Sequence, residues 1–164
     1  REAWPDHPDF AESIQNWMGA HQMFRQLGQI VHNSTERVLD RNMDPELFAN
    51  RLGQYGNLLV RNLHGHHGWE DHHFFPELEA ADSRFAHGLD MLENDHVEME
   101  TLLDRLTTSA NRYLQLAQLS PSDAPAELPA LLKETNAIGG FLDRHLTDEE
   151  DLVVPILLHH KLRG

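Results

Sequence analysis

His66-His67-Gly68-Trp69-Glu70-Asp71-His72-His73-Phe74-Phe75-Pro76 places a histidine four residues before a glutamate and a proline six residues after it. The stretch His145-Leu146-Thr147-Asp148-Glu149-Glu150-Asp151-Leu152-Val153-Val154-Pro155 repeats that arrangement 79 residues later. Both read H-x3-E-x5-P. A lone histidine precedes each: His21 lies 45 residues before His66, and His96 lies 49 before His145. On a helix, residues four apart lie one above the other on a single face. The order H…HxxxE…H…HxxxE therefore asks for four helices and one shared centre, a pattern suited to metal ions.

Outward from these motifs, four segments carry apolar residues at helical spacing and none shows sustained alternation. The first runs from about Phe10 to Leu39, with Phe10, Ile14, Trp17, His21, Phe24 and Val31 on its inward stripe. Asp44-Pro45 supplies an N-cap and first-turn pair for the second, whose stripe includes Leu59, Leu63, His66, Glu70 and Phe74. Pro76 should kink or end that helix. Asp82-Ser83 can cap the third, with Leu89, Leu92, His96, Met99 and Leu103 inward. Ser120–Pro125 is the one evident linker. The fourth runs from about Glu127 to Leu162, with Leu131, Ile138, Leu142, His145, Glu149 and Ile156 inward and Pro155 interrupting it. The expected fold is all-α: an antiparallel up-down-up-down four-helix bundle with a pseudo-twofold repeat of helix pairs. It forms a single domain over residues 8–162, the pairs spanning about 10–80 and 84–162.

Composition narrows the chemistry. With 164 residues, 40% of them hydrophobic, the chain can bury a real core. No apolar run reaches the roughly 18 residues of a membrane span, no charged-then-apolar leader is visible, and a cytoplasmic location is the expectation. The absence of cysteine excludes disulfides, thiolate zinc sites and cysteine nucleophiles. A net charge of -14 argues against nucleic acid, and bound cations would offset part of it. Thirteen histidines beside two tyrosines need a reason, and metal ligation is the common one.

Each inward stripe is apolar except at one level, where it places histidine or glutamate. Burying one unpaired carboxylate costs several kcal/mol, against a net stability of about 5–15 kcal/mol. Four histidines and two glutamates in one core therefore call for compensation by cations. Two adjacent ions with the glutamates as bridges satisfy all six. Imidazole with carboxylate and no thiolate fits iron, manganese or zinc.

The chain resembles the hemerythrin-like family, the HHE cation-binding domain, in its bacterial-type branch. Residues His66–Pro76 follow that family's H-H-x-x-E-D-x-x-L-F-P, His145–Pro155 its second motif, and Asn94-Asp95-His96 loosely the E-x-H that opens its third helix. The resemblance covers about residues 10–160. It implies a non-haem, carboxylate-bridged di-iron site with His21, His66, Glu70, His96, His145 and Glu149 as ligands, zinc or manganese being the alternatives to iron. His67 is a candidate seventh ligand, or else a flanking histidine. Its counterpart in the second motif is Leu146, so ligation by His67 would make the two metals unequal. Oxygen-carrying members have HxxxH on the third helix and aspartate on the fourth. Here Glu100 follows His96, and the fourth-helix carboxylate is Glu149.

Glu100, His64, His72, His87, His159 and His160 read as surface groups, as do Asp148, Glu150 and Asp151, unless these acids orient ligand imidazoles. His73 reads as packing at the stripe edge or as a group just behind the ligands. Trp17, Phe24, Met99 and Leu142 lie near ligands, as ordinary core or as the wall of a diatomic-ligand pocket. The implied function is binding or sensing of O2 or NO. The alternatives are a di-iron peroxidase, catalase or oxidase acting on peroxide or oxygen, and iron storage or a structural metal site. Monomer and homodimer are both compatible with the sequence.

Overall fold

The computed structural model describes residues 3–9 and 11–162. Phe10, the first residue of the expected stripe, lies outside them. Among the described residues the fold is all-helical. Helix α1 spans Glu12–Leu39 and α2 spans Pro45–Trp69. A π-helical turn over Glu70–Phe74 joins α2 to the short α3, Phe75–Ala81. Helix α4 spans Ala86–Leu119, and α5 spans Leu128–His159.

The helix ends follow local chemistry. The Asp44 carboxylate accepts a hydrogen bond from the Leu47 N–H at 3.2 Å, with Pro45 in the first turn of α2. Helix α1 closes where Arg41 takes a left-handed φ of 62° and the Asn42 N–H reaches back to the Arg37 carbonyl at 2.7 Å. Asp82 accepts from the Arg84 N–H at the start of a 3-10 turn, Ser83–Phe85, which leads into α4. The Ser120–Pro125 linker holds itself by a Ser120 hydroxyl bond to Asp123 at 2.6 Å, and a second 3-10 turn, Ala124–Glu127, enters α5.

The two prolines behave differently. Pro76 sits in the first turn of α3, directly after the π turn, where the Phe75 N–H reaches the Glu70 carbonyl five residues back. The backbone thus stays helical through the site by widening one turn, a device common at functional sites. Pro155 does not interrupt its helix: α5 runs through it. Its ring lies on the exposed outer face, where a missing N–H costs least.

Helix α1 packs against α2 and α5, and α4 packs against the same two. The core is divided. One apolar cluster contains Phe24, Val31, Phe48, Leu63, Met99, Leu103 and Leu142 among others. The other contains Ile14, Trp17, Phe74, Phe75, Leu89, Val154 and Leu157 among others. At the second, α4 and α5 approach closely: a Cβ on Gly88 would stand 2.8 Å from a Leu152 methyl. Each fully buried apolar side chain contributes roughly 1.5–3 kcal/mol. The two clusters together position the polar layer that separates them.

Candidate metal centre

The layer between the clusters holds His21, His67, Glu70, His96, His145 and Glu149, every one at most 2% exposed. The ring of His66 joins them with its side chain 12% exposed. These groups sort into two sets. One ring nitrogen each from His67, His96 and His145 falls within 4.8 Å of the others. One donor atom each from His21, His66, Glu70 and Glu149 does the same.

Both carboxylates straddle the two sets. Glu70 Oε2 lies 3.2 Å from His66 Nε2, while its Oε1 lies 3.3 Å from His96 Nε2. Glu149 Oε2 lies 2.9 Å from His145 Nε2, while its Oε1 lies 3.9 Å from His21 Nε2. His21 Nε2 and His66 Nε2 are 3.2 Å apart. Two donors bound at right angles to one ion at about 2.0–2.2 Å stand about 3 Å from each other. The spacing is that of atoms converging on shared cations.

The residues fit such ions on a second count. Both ring nitrogens of His67, Nε2 of His96 and of His145, Oε1 of Glu70 and both oxygens of Glu149 are buried without a hydrogen-bond partner among the described residues. Buried polar atoms are nearly always satisfied, so a cluster of orphans facing one another marks the place of a ligand. Burial holds the His21 and His145 imidazoles below the usual histidine range and pushes His67 down to about 2. Neutral imidazole is the form that binds metal. Burial alone would raise both carboxyls. Nearby Glu149, His66 and His96 outweigh it at Glu70 and hold that group well below its ordinary value. Burial and the Glu70 charge push Glu149 well above.

The outer nitrogens are fixed by carboxylates. His21 Nδ1 lies 2.8 Å from Glu150, which also receives Arg25 at 3.2 Å. His96 Nδ1 lies 2.7 Å from Asp71, and His145 Nδ1 lies 3.1 Å from Asp95. Such partners set the tautomer and aim Nε2 inward. The Trp17 indole N–H donates to Glu70 Oε2 at 3.0 Å. Beside His66 a cavity of about 360 Å³ opens, bounded by Ile14, Trp17, Ala20, Trp69 and Phe74.

The structure thus brings His21, His66, Glu70, His96, His145 and Glu149 together, and His67 with them. Glu100 stays on the exposed flank, 2.9 Å from His64. Three expectations change. Glu150 is buried, not solvated, and takes the alternative role of orienting an imidazole, because it turns toward α1 and meets His21 and Arg25. His73 is exposed, because the π turn carries the chain past the stripe edge. His160 is half-buried, with Nε2 2.8 Å from Asp82. The roles of Asp95 and of the Trp17 N–H were not readable from the spacing. Those of Asp71 and Glu150 had one signal: an acidic residue follows the motif glutamate in both halves.

The model of the hemerythrin HHE cation-binding domain matches residues 12–157. No curated protein and no solved structure matches the chain. No helix of the described residues is long and apolar enough to cross a membrane. The match runs from the first turn of α1 almost to the end of α5 and takes in the whole polar layer, and the chain belongs to the hemerythrin HHE cation-binding family.

Proposed function

We propose that the chain holds two iron ions and binds or senses O2 or NO at them. The observation that carries this is the unequal division of donors. His67, His96 and His145 would hold one ion, His21 and His66 the other, with Glu70 and Glu149 bridging. The first ion then has five protein donors and the second four, which leaves the second the more open. That second set contains His66, the residue that borders the cavity. Iron suits an imidazole and carboxylate set, and it is the metal typical of this family.

Such a pair of ions, when bound and reduced, would supply electrons and a coordination position for a small diatomic molecule. The protein supplies the rest. Ile14, Trp17 and Phe74 give the cavity on the His66 side an apolar wall. Asp71, Asp95 and Glu150 hold the imidazoles in the tautomer that presents Nε2. The framework we propose is a single domain over about residues 8–162, an antiparallel up-down-up-down bundle whose two helix pairs are related by a pseudo-twofold axis. In support, the early α1 residue His21 meets the late α5 residue Glu150, while the later His32 meets the early Thr135.

A visible spectrum of the iron-loaded, anaerobically reduced protein tests the function. A charge-transfer band that appears with O2 or NO and leaves when the gas is removed is the expected result. No response to either gas overturns the proposal, and a band that decays to a permanently oxidised form transfers it to the peroxidase or oxidase alternative.

A further inference from the structure

We infer that Trp17 is a positioning residue: its indole N–H locks Glu70 in the bridging orientation and so sets how tightly the ion on the His66 side is held. The inference rests on the two-ion reading above.

Glu70 can bridge only if its two oxygens face different imidazoles. Oε2 faces His66 at 3.2 Å and Oε1 faces His96 at 3.3 Å. A carboxylate can swing both oxygens toward one ion or release one of them, so something must hold it. The Trp17 N–H donates to the oxygen on the His66 side, at 3.0 Å. The donor is itself immobile. Trp17 is 7% exposed, and its ring is held 4.3 Å from His21 and 5.6 Å from Phe74.

A buried indole N–H needs an acceptor in any case, so the bond could be packing alone. Two further features give it a function. First, it is not repeated. The residue four before His96, as Trp17 is four before His21, is Leu92, which has no side-chain donor to offer Glu149. The indole anchor is therefore on Glu70, and it faces the ion set with fewer imidazoles. Second, Trp17 forms a wall of the cavity beside His66. Loss of the bond would free Oε2 on the side where solvent and ligands enter.

The test is titration of the metal-free protein with cobalt(II) against a competing chelator, following visible d–d absorption, which reports coordination number. Wild type should take up two ions in two steps. Trp17→Phe removes the N–H and keeps an aromatic ring. It should leave the first step unchanged and weaken the second about ten- to a hundredfold, the range for loss of an outer partner of a metal ligand. The second step's absorption should shift as well. Leu92→Val, which trims packing at the equivalent place, should leave both steps intact. Should Trp17→Phe not fold, 3-benzothienylalanine at position 17 replaces only the N–H by sulfur and should give the same selective loss. Two wild-type steps that survive loss of the N–H, or that weaken equally, overturn this inference alone. Uptake of a single ion by wild type overturns the two-ion reading and this inference with it.

Discussion

The segments His66–Pro76 and His145–Pro155 share one spacing and fold differently. The first leaves the α-helix for a π turn at Glu70–Phe74, and the second stays α-helical through its proline. The π turn turns two adjacent aromatic rings inward. Phe74 packs against Trp17, at 5.6 Å, while Phe75 stacks against His96 at 5.5 Å. The first motif adds His67 where the second has Leu146, and the first half adds Trp17 where the second has Leu92. The second half adds Asp95 behind His145. In common they keep an acidic residue after the glutamate, which crosses to the lone histidine of the other half: Asp71 to His96, and Glu150 to His21. The recurring motif supplies the two carboxylates and their crossing partners. What differs between the halves is what would make the two ions unequal.

The largest effect should come from the fully buried imidazole. His145→Ala should leave at most one ion per chain by elemental analysis, with an affinity loss above a hundredfold. His66→Ala, at the half-open side, should lose one ion and spare the other. Loss of both ions in His66→Ala would break the distinction between the sets.

His67→Leu makes the first motif match the second. Metal affinity at one ion should drop about a hundredfold in chelator competition, and no drop would make His67 a flanking residue. The same variant carries a pH signature in metal-free protein. Folded His67 stays neutral, pushed down to about 2, while the unfolded chain takes up that proton near pH 6.5. The unfolded state then binds more protons, so stability falls as pH drops below about 6.5, by about 1.4 kcal/mol per pH unit for one such group. Urea unfolding of metal-free His67→Leu should show a shallower acid slope than wild type, and equal slopes would refute the assignment.

Asp71→Asn and Glu150→Gln test what the halves share. Each should weaken metal binding about ten- to a hundredfold, by calorimetric titration, and the two should agree. A much larger effect of Glu150→Gln would mean that Arg25, unmatched at the equivalent position by Glu100, gives the His21 side a separate design.

The smallest effect concerns the prolines. Pro155→Ala restores an interior N–H and should raise stability by about 1 kcal/mol or more. Pro76→Ala lies directly after the π turn, whose widened backbone already accommodates the missing N–H, and should move it by less than about 0.5 kcal/mol. A rise for both in thermal unfolding would mean that Pro76 too strains its helix.

The layer was legible because His21, His66, Glu70, His96, His145 and Glu149 each replace an apolar residue on a 3.6-residue stripe, and a stripe faces the core whatever the tertiary detail. Asp71, Glu150 and Asp95 stand next to stripe residues, about 100° round the helix. Whether such a position meets water or a neighbouring helix depends on packing that periodicity does not encode. The exposure of His73 was hidden for another reason. The two motifs have identical spacing, so nothing in that spacing separates a π turn from an α turn.

The divided core has a consequence for how an ion gets in or out. Helices α1, α4 and α5 each contribute side chains to both apolar clusters, and the π turn and α3 that continue α2 carry Phe74 and Phe75 into the second, so none of these helical runs can peel away whole and uncover the layer without breaking both. The route of lower resistance is fraying at one end. The cluster built from Ile14, Phe74, Leu89 and Leu157 contains the short α3 and both chain-terminal flanks of the long helices. Amide exchange in that half should therefore keep pace with metal exchange, while the Phe48–Leu103 half holds its protons through many cycles of loading and release.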